Sequence, residues 1–364
     1  MTSGQGLRHF HAVILAGGRG TRFWPRGRRR LPKQLLAVVG NASLLRQTVE
    51  RLTALVPPER IWVLTSETLR RRVMRELPEV PARQVIAEPV QRNTGPAIGL
   101  AARLLLEQDP AAVMGVFPSD HFIARKGLFR KVVRRAVREA ADGGRLIVLG
   151  IPPRGPETGY GYIRFPKGVS AGGADPLKVQ NFEEKPGLAR AKRFVKAGNY
   201  YWNAGMFIWR AAVIQSAIEK FMPSTARALS RLAPLSSRGF TASLRRHYGD
   251  CDDKSIDYGV LEHAGNIAGF ACPPFGWNDV GSWDAVYELL RGKRQLSVAR
   301  SELRELESFG NFVDAPGKLT ALVGVKDLIV VDMPDALLIC SRGEAQKVSQ
   351  LVKDLEAAKR VALL

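Results

Sequence analysis

Along the first half of the chain, short apolar runs alternate with longer stretches of mixed apolar and polar residues. The runs at 12–15, 61–65, 84–87, 113–117 and 146–149 read as buried strands, and the stretches 43–55, 66–77, 94–107 and 128–141 read as helices. Ser43, Ser66 and either Asn93 or Thr94 stand where a helix N-cap is expected. Alternating strand and helix predicts a parallel sheet covered on both faces, because each crossover must return over the sheet. Ligands of such sheets sit beyond the carboxyl ends of the strands. Two loops fall at that edge: the glycine-rich turn after the first strand, and Pro118-Ser119-Asp120-His121 after the fourth.

The pattern loosens from Gly159. Residues 159–165 and 177–184 predict strands of a more mixed sheet, joined by a glycine-rich loop. Another strand is expected at 203–209, with helices at 189–196, 211–221 and 283–290 and a basic helical stretch over 223–248. A boundary is expected within 291–301, dividing a domain of residues 1–290 from one of 291–364. The second part reads as short strands at 311–313, 319–325, 328–331 and 336–340, closed by an amphipathic helix over 344–361.

Composition adds constraints. At 45% hydrophobic and 24% charged residues, the 364-residue chain is ordinary for a soluble protein. No apolar run approaches the roughly 18 residues of a membrane span, and Met1 to Phe10 lacks the apolar core of a secretory signal. A cytoplasmic protein without a membrane partner is therefore expected. Cys251, Cys272 and Cys340 have no metal-binding spacing and read as small buried or half-buried residues in a reducing compartment. His9 and His11 share a strand face without a third ligand nearby, and read as partly exposed strand residues.

Charge changes the picture. Fifty-five basic against 34 acidic residues leave +21, a field that attracts nucleotides, sugar phosphates, nucleic acid or anionic membrane. The arginines are spread over the whole chain with no aromatic-basic stripe, which favours a solvated basic surface over a specific nucleic-acid partner.

Candidate chemistry is densest between Ala12 and Gln34. An apolar strand reaches Leu15 and Ala16; Gly17, Gly18 and Gly20 follow, then Thr21, Arg22, a cluster of arginines and Lys33. Glycines let a backbone approach a ligand closely, and a turn leaving a strand can aim several N–H groups at phosphate oxygens. Arg22 and Lys33 add fixed positive charge. The segment is not a P-loop, since Thr21-Arg22 follows Gly20, and it is not the dinucleotide fingerprint, which needs glycine where Phe23 stands. The plain alternative is a flexible turn with solvated arginines.

Gly17-Gly18-Arg19-Gly20-Thr21-Arg22, followed by Trp24-Pro25 and Pro32-Lys33-Gln34, resembles the signature of the sugar-nucleotide pyrophosphorylases, in the form of their mannose-1-phosphate guanylyltransferase branch. Gly27-Arg28 stands where that branch usually carries Ser-Arg. Further motifs agree. Glu88-Pro89-Val90-Gln91-Arg92-Asn93-Thr94-Gly95-Pro96-Ala97 is similar to a branch element with alanine at Gly95, and Trp202-Asn203-Ala204-Gly205-Met206-Phe207 to one with serine at Ala204. Phe117-Pro118-Ser119-Asp120, Glu184-Lys185-Pro186, Gly159-Tyr160-Gly161-Tyr162, Ser255-Ile256-Asp257-Tyr258 and Trp277-Asn278-Asp279-Val280-Gly281 complete the set. The resemblance runs from about His11 to Gln346. It implies an α/β fold: a Rossmann-like nucleotidyltransferase domain with a mixed, mainly parallel sheet, plus a small C-terminal β domain, often a β-helix stub, ending in a helix. The isomerase domain that some members append is not expected within these 364 residues.

The resemblance also implies roles. Leu15, Ala16, Gly17, Gly18, Gly20, Thr21, Glu88, Arg92, Asn93 and Ser119 would bind the nucleotide. A carboxylate at Glu88 can accept from the N1 and N2 protons of guanine, which adenine cannot offer together. Gly161, Glu184, Asn203 and Asp257 would face the sugar phosphate, and Lys185 would hold its charge. Asp120 and Asp279 would bind Mg²⁺ or another divalent cation, which takes one or two carboxylates and completes its shell with phosphate oxygens and water; taken alone, each is equally a turn or cap aspartate. The expected reaction is transfer from GTP to α-D-mannose 1-phosphate, with Arg22 and Lys33 stabilising the leaving pyrophosphate and Lys185 fixing the nucleophile. A homodimer is the assembly left open. The rivals are a pyrophosphorylase for another sugar phosphate or base, a regulatory homologue that only binds nucleotide, and a basic nucleic-acid binder.

Overall fold

The computed structural model describes residues 5–292 and 296–364; residues 1–4, and 293–295 within the expected boundary, lie outside the described residues. Packing divides the chain into two units. The first comprises Met1–Gly17, Val49–Pro118 and Ile123–Trp277, and the second Gly18–Thr48, Ser119–Phe122 and Asn278–Leu364.

The first unit is built on a sheet that has ten strands among the described residues. Val85–Glu88, Ile61–Ser66, Phe10–Ala16 and Val113–Pro118 lie side by side in that order, all parallel. Tyr200–Arg210 follows, antiparallel both to Val113–Pro118 and to Leu146–Ile151 on its other side. Leu146–Ile151 and its parallel neighbour Ile267–Ala271 therefore point the same way as the first four. The sheet is mixed and mainly parallel, and the carboxyl ends of these six strands share one edge. The strands are buried along almost their whole length, which is why they read as unbroken apolar runs. The helix Thr94–Leu106 is buried from Gly95 to Ala102 and again at Leu104 and Leu105, whereas Lys126–Asp142 buries one face.

Local differences from the sequence reading have local causes. Ser43 and Asn93 cap their helices, accepting from the N–H groups of Arg46 at 3.0 Å and Thr94 at 3.1 Å. Ser66 does not; its hydroxyl meets that of Thr68 at 2.9 Å. The stretch 223–248 forms two helices, Pro223–Ser230 and Phe240–His247, because Pro234 cannot continue a helix. His11 is buried rather than partly exposed, at 6%, and burial pushes its imidazole down to about 4.

In the second unit, Val298–Ala299, Phe312–Asp314 and Leu328–Met333 stack in parallel, as do Leu303–Leu306 and Thr320–Val323. Two faces of parallel strands visited in turn make a short β-helix, onto which Ala336–Ser341 folds back antiparallel. The closing helix is shorter than expected, Val348–Ala357, and the left-handed backbone of Lys359, φ 53°, bars its continuation. The core of this unit joins separated stretches of chain. Phe23 packs on Trp283 with ring centroids 4.9 Å apart, and Trp283 stacks on Phe312 at 5.5 Å. Leu36, Leu44, Ile329 and Val348 belong to the same buried cluster.

Candidate active site

In the second unit the glycine turn and both candidate metal ligands converge on Lys33. Gly20 has φ 58°, and a Cβ there would lie 2.5 Å from the Cβ of Lys33, so both backbone conformation and close approach require glycine. The ammonium of Lys33, whose side chain is 8% exposed, donates to Asp120 Oδ2 at 2.9 Å and also to the Asp279 carbonyl oxygen. Gln34 Nε2 donates to the Gly18 carbonyl at 3.0 Å, tying the turn to the same segment. Burial pushes the Asp120 carboxyl up, but Lys33 and His121 outweigh it and hold the group below its usual range, so it is ionised at neutral pH. Ser119 is buried and its carbonyl accepts from Thr48 Oγ1 at 3.3 Å. Beside Asp279, Val280 is a β-branched residue at φ 48°, and a Cβ on Gly281 would lie 2.6 Å from Asp279 Oδ2. Such strain persists only where the surroundings over-determine it, and Val280 is fully buried.

Among the described residues, no group of three or more His, Cys, Asp or Glu side chains is placed to hold a metal ion. Asp120 offers a carboxylate oxygen beside the Lys33 ammonium, whereas the oxygen that Asp279 presents to it is the backbone carbonyl; both are hard donors of the kind that Mg²⁺ takes.

The arginine cluster is not simply solvated. Arg22 donates to Gln346 Oε1 at 2.6 Å, Arg26 to the buried Asp314 at 2.6 Å and Arg28 to Asp335 at 2.7 Å; Arg19 and Arg29 both reach Glu356, at 3.1 and 2.9 Å. Trp24 Nε1 donates to the Leu363 carbonyl at 2.8 Å. The C-terminal segment thus acts as a frame for the glycine-arginine turn.

The first unit holds two further groups of candidate residues. At the carboxyl edge of the sheet, Leu15 pairs in register with Leu64, Ala16 with Thr65, and Ser66 with Glu88. The Ala16 carbonyl accepts from Thr65 Oγ1 at 3.0 Å, and Gln91 Nε2 donates to the Gly17 carbonyl. Glu88 Oε2 stands 3.5 Å from where a Cβ on Gly17 would lie, and Oε1 accepts from the Tyr248 hydroxyl at 2.6 Å. Burial pushes Glu88 up to about 7. Arg92 turns instead to the Gly249 carbonyl, at 2.6 Å, and Asn93 spends its side-chain oxygen on its helix cap.

The second group centres on Asn203. Asn203 Nδ2 donates to Asp257 Oδ1 at 2.8 Å while its oxygen accepts from Gly205 N at 3.0 Å. Asp257 opens the π-helical turn Asp257–Leu261, and burial together with the neighbouring Glu184 pushes its carboxyl up to about 7. Lys185, at φ 47°, pairs with Glu184 at 2.9 Å. Glu184 Oε2 would lie 2.3 Å from a Cβ on Gly161, so that glycine makes room for the carboxylate. The Glu184 N–H is held by Glu262 Oε1 at 3.0 Å.

Sequence reasoning missed Tyr248, Glu262, Gln346 and the frame of C-terminal acids; none belongs to a motif. Two departures from the resembled motifs are explained by packing. A Cβ at Gly95 would meet Met222 Cε and the Lys254 carbonyl, each at 2.7 Å, and one at Gly27 would crowd the Phe23 Cβ at 3.0 Å.

Sheet topology, the glycine turn and the Lys33 cluster define a nucleotidyl transferase. A model of that family matches residues 11–295, and the chain belongs to it. A mannose-phosphate isomerase/GMP-like β-helix domain model matches residues 302–355. Within the family the chain is similar to mannose-1-phosphate guanylyltransferases. It is 37% identical over 361 residues to that of Salmonella typhimurium, covering 96% of this chain and 74% of the relative, and 36% identical over 360 residues to that of Escherichia coli K12, with the same shares. A solved structure from Thermus thermophilus, described as a mannose-1-phosphate geranyltransferase, superposes with a TM-score of 0.84 at 32% identity, covering 96% of this chain and 99% of that one.

Proposed function

We propose that the protein transfers the guanylyl group of GTP to α-D-mannose 1-phosphate, giving GDP-mannose and pyrophosphate. The observation that carries this reading is the convergence of Lys33 on Asp120 and Asp279 in the unit that holds the glycine turn. The relatives named for this reaction support the choice of sugar and base. An oxygen of the sugar phosphate attacks the α-phosphorus. That O–P bond forms as the bond to the β-phosphate oxygen breaks, and its electron pair leaves with pyrophosphate. The attacking oxygen is already ionised near neutral pH, so the reaction needs no general base. The protein's work is alignment and charge neutralisation.

In this reading the turn from Gly17 to Thr21 and Ser119 meet the triphosphate, and Arg22 and Lys33 neutralise charge on the departing pyrophosphate. Asp120 and Asp279 would hold a divalent cation, which would screen the phosphate charge. Glu88 reads the guanine edge. Glu184, Asn203 and Asp257 meet the mannose hydroxyls beside Gly161, and Lys185 holds the sugar phosphate. Reaction in the cytoplasm, a homodimer, and a division of the sequence into residues 1–290 and 291–364 are parts of the same proposal. Among the described residues, no helix is long and apolar enough to cross a membrane. Pyrophosphate release from a panel of nucleoside triphosphates and hexose 1-phosphates tests the reading. GTP with mannose 1-phosphate should exceed every other pair by at least tenfold; equal rates with ATP or with glucose 1-phosphate would overturn it.

A further inference from the structure

Glu88 ends the strand Val85–Glu88 with its carboxyl group buried. A buried carboxylate without a fixed partner can rotate or take up a proton, and either change would spoil a two-point hydrogen bond to a base. The structure supplies a partner from 160 positions away. Tyr248, fully buried within the core of the first unit, donates its hydroxyl proton to Glu88 Oε1 at 2.6 Å. The backbone on both sides is tied as well: Arg92 donates to the Gly249 carbonyl, next to Tyr248, and Gln91 to the Gly17 carbonyl. With Oε1 engaged by Tyr248, Oε2 is the oxygen that faces the Gly17 Cα.

We propose that Tyr248 is a positioning residue for base recognition, whose hydroxyl orients the Glu88 carboxylate toward the base of the nucleotide. The inference rests on the assignment of Glu88 to guanine given above. Burial drives Glu88 toward its neutral form, and the Tyr248 hydrogen bond draws it back. Of the other titratable or charged groups around the pair, the Cys251 thiol is pushed up to about 12 by burial and stays neutral, and Arg92 is turned to the Gly249 carbonyl. A guanine base donating two protons needs the ionised carboxylate. GTP binding should therefore weaken as the pH falls below about 7, and the Tyr248 hydroxyl should set where that weakening begins.

The test is Tyr248→Phe, which keeps the ring and removes only the donor. KM for GTP should rise roughly tenfold at pH 7.5, the loss of one hydrogen bond to a charged group. The pH below which KM for GTP climbs should move upward, while kcat and KM for mannose 1-phosphate stay within twofold of wild type. In a Glu88→Gln background the same change should add less than twofold. Superimposable KM–pH profiles for Tyr248→Phe and wild type, or equal losses in both KM values and kcat, would overturn the role. The underlying assignment has its own test: Glu88→Gln should abolish the preference for GTP over ATP. If that preference survives, the assignment of Glu88 to guanine fails. If it is lost while Tyr248→Phe leaves the profile in place, only the proposal for Tyr248 fails.

Discussion

Two carboxyls, those of the buried Glu88 and the half-buried Asp257, carry much of the pH behaviour expected of this protein. Both are pushed up to about 7, from ordinary values of 4.5 and 3.8, Glu88 by burial and Asp257 by burial and then Glu184. Between the ordinary value and the raised one, the folded chain holds a proton that the unfolded chain has lost. Their contribution to stability is therefore fully present below the unfolded values and is lost as the pH rises through 7. Glu88→Gln removes the charge that burial penalises. The variant should melt several degrees above wild type at pH 8, with much of that gain gone at pH 5.5, by scanning calorimetry. Equal melting temperatures at pH 8 would contradict the assigned cause. A side chain kept at a cost to stability is what a binding role predicts.

At the scale of elements, the site depends on how tightly the glycine turn sits on the segment carrying Lys33. Gly20→Ala places a methyl group 2.5 Å from the Lys33 Cβ at a backbone angle unfavourable to alanine, so Lys33 must shift. Turnover should fall at least tenfold with a loss of roughly 1–2 kcal/mol in stability; unchanged kcat would show that the position of Lys33 is immaterial. The turn was legible in the sequence because its requirement is local: glycines after a strand, then fixed cations. The sheet was legible because its strands are buried runs separated by helices. Other features act across the chain. Lys33 meets Asp120 over 87 positions and Asp279 over 246, and spacing alone could not pair them; the resemblance grouped all three at one expected site without predicting these contacts. Tyr248 lies in no motif, and its bond to Glu88 appears only when the sheet edge and the turn Tyr248–Asp250 come together. The acids that frame the arginines, Asp314, Asp335 and Glu356, lie in no motif and meet them only in the fold.

At the scale of the molecule, the C-terminal segment belongs structurally with the glycine turn. Phe312, Ile329 and Val348 share a buried cluster with Phe23, Trp24 and Trp283. A chain ended after Leu290 would leave that cluster open, and should lose turnover even though the ten-stranded sheet is complete. Full activity of such a truncated chain would show that the frame is dispensable. Charge acts over the same scale. With +21 on the chain, association with GTP should be steered by the protein's field. KM for GTP should rise severalfold between about 50 and 500 mM salt as the Debye length shortens, with little change in kcat.

The claim on which the rest stands is that Lys33 and Asp120 form one charge-bearing centre for phosphoryl chemistry. Pyrophosphate release from GTP and mannose 1-phosphate with Mg²⁺, measured for wild type, Lys33→Ala and Asp120→Asn, tests it most directly. Release should require both substrates in wild type and fall at least a hundredfold in each variant, with melting temperatures near the parent's. Wild-type rates in either variant, or no release from the parent protein, would contradict it.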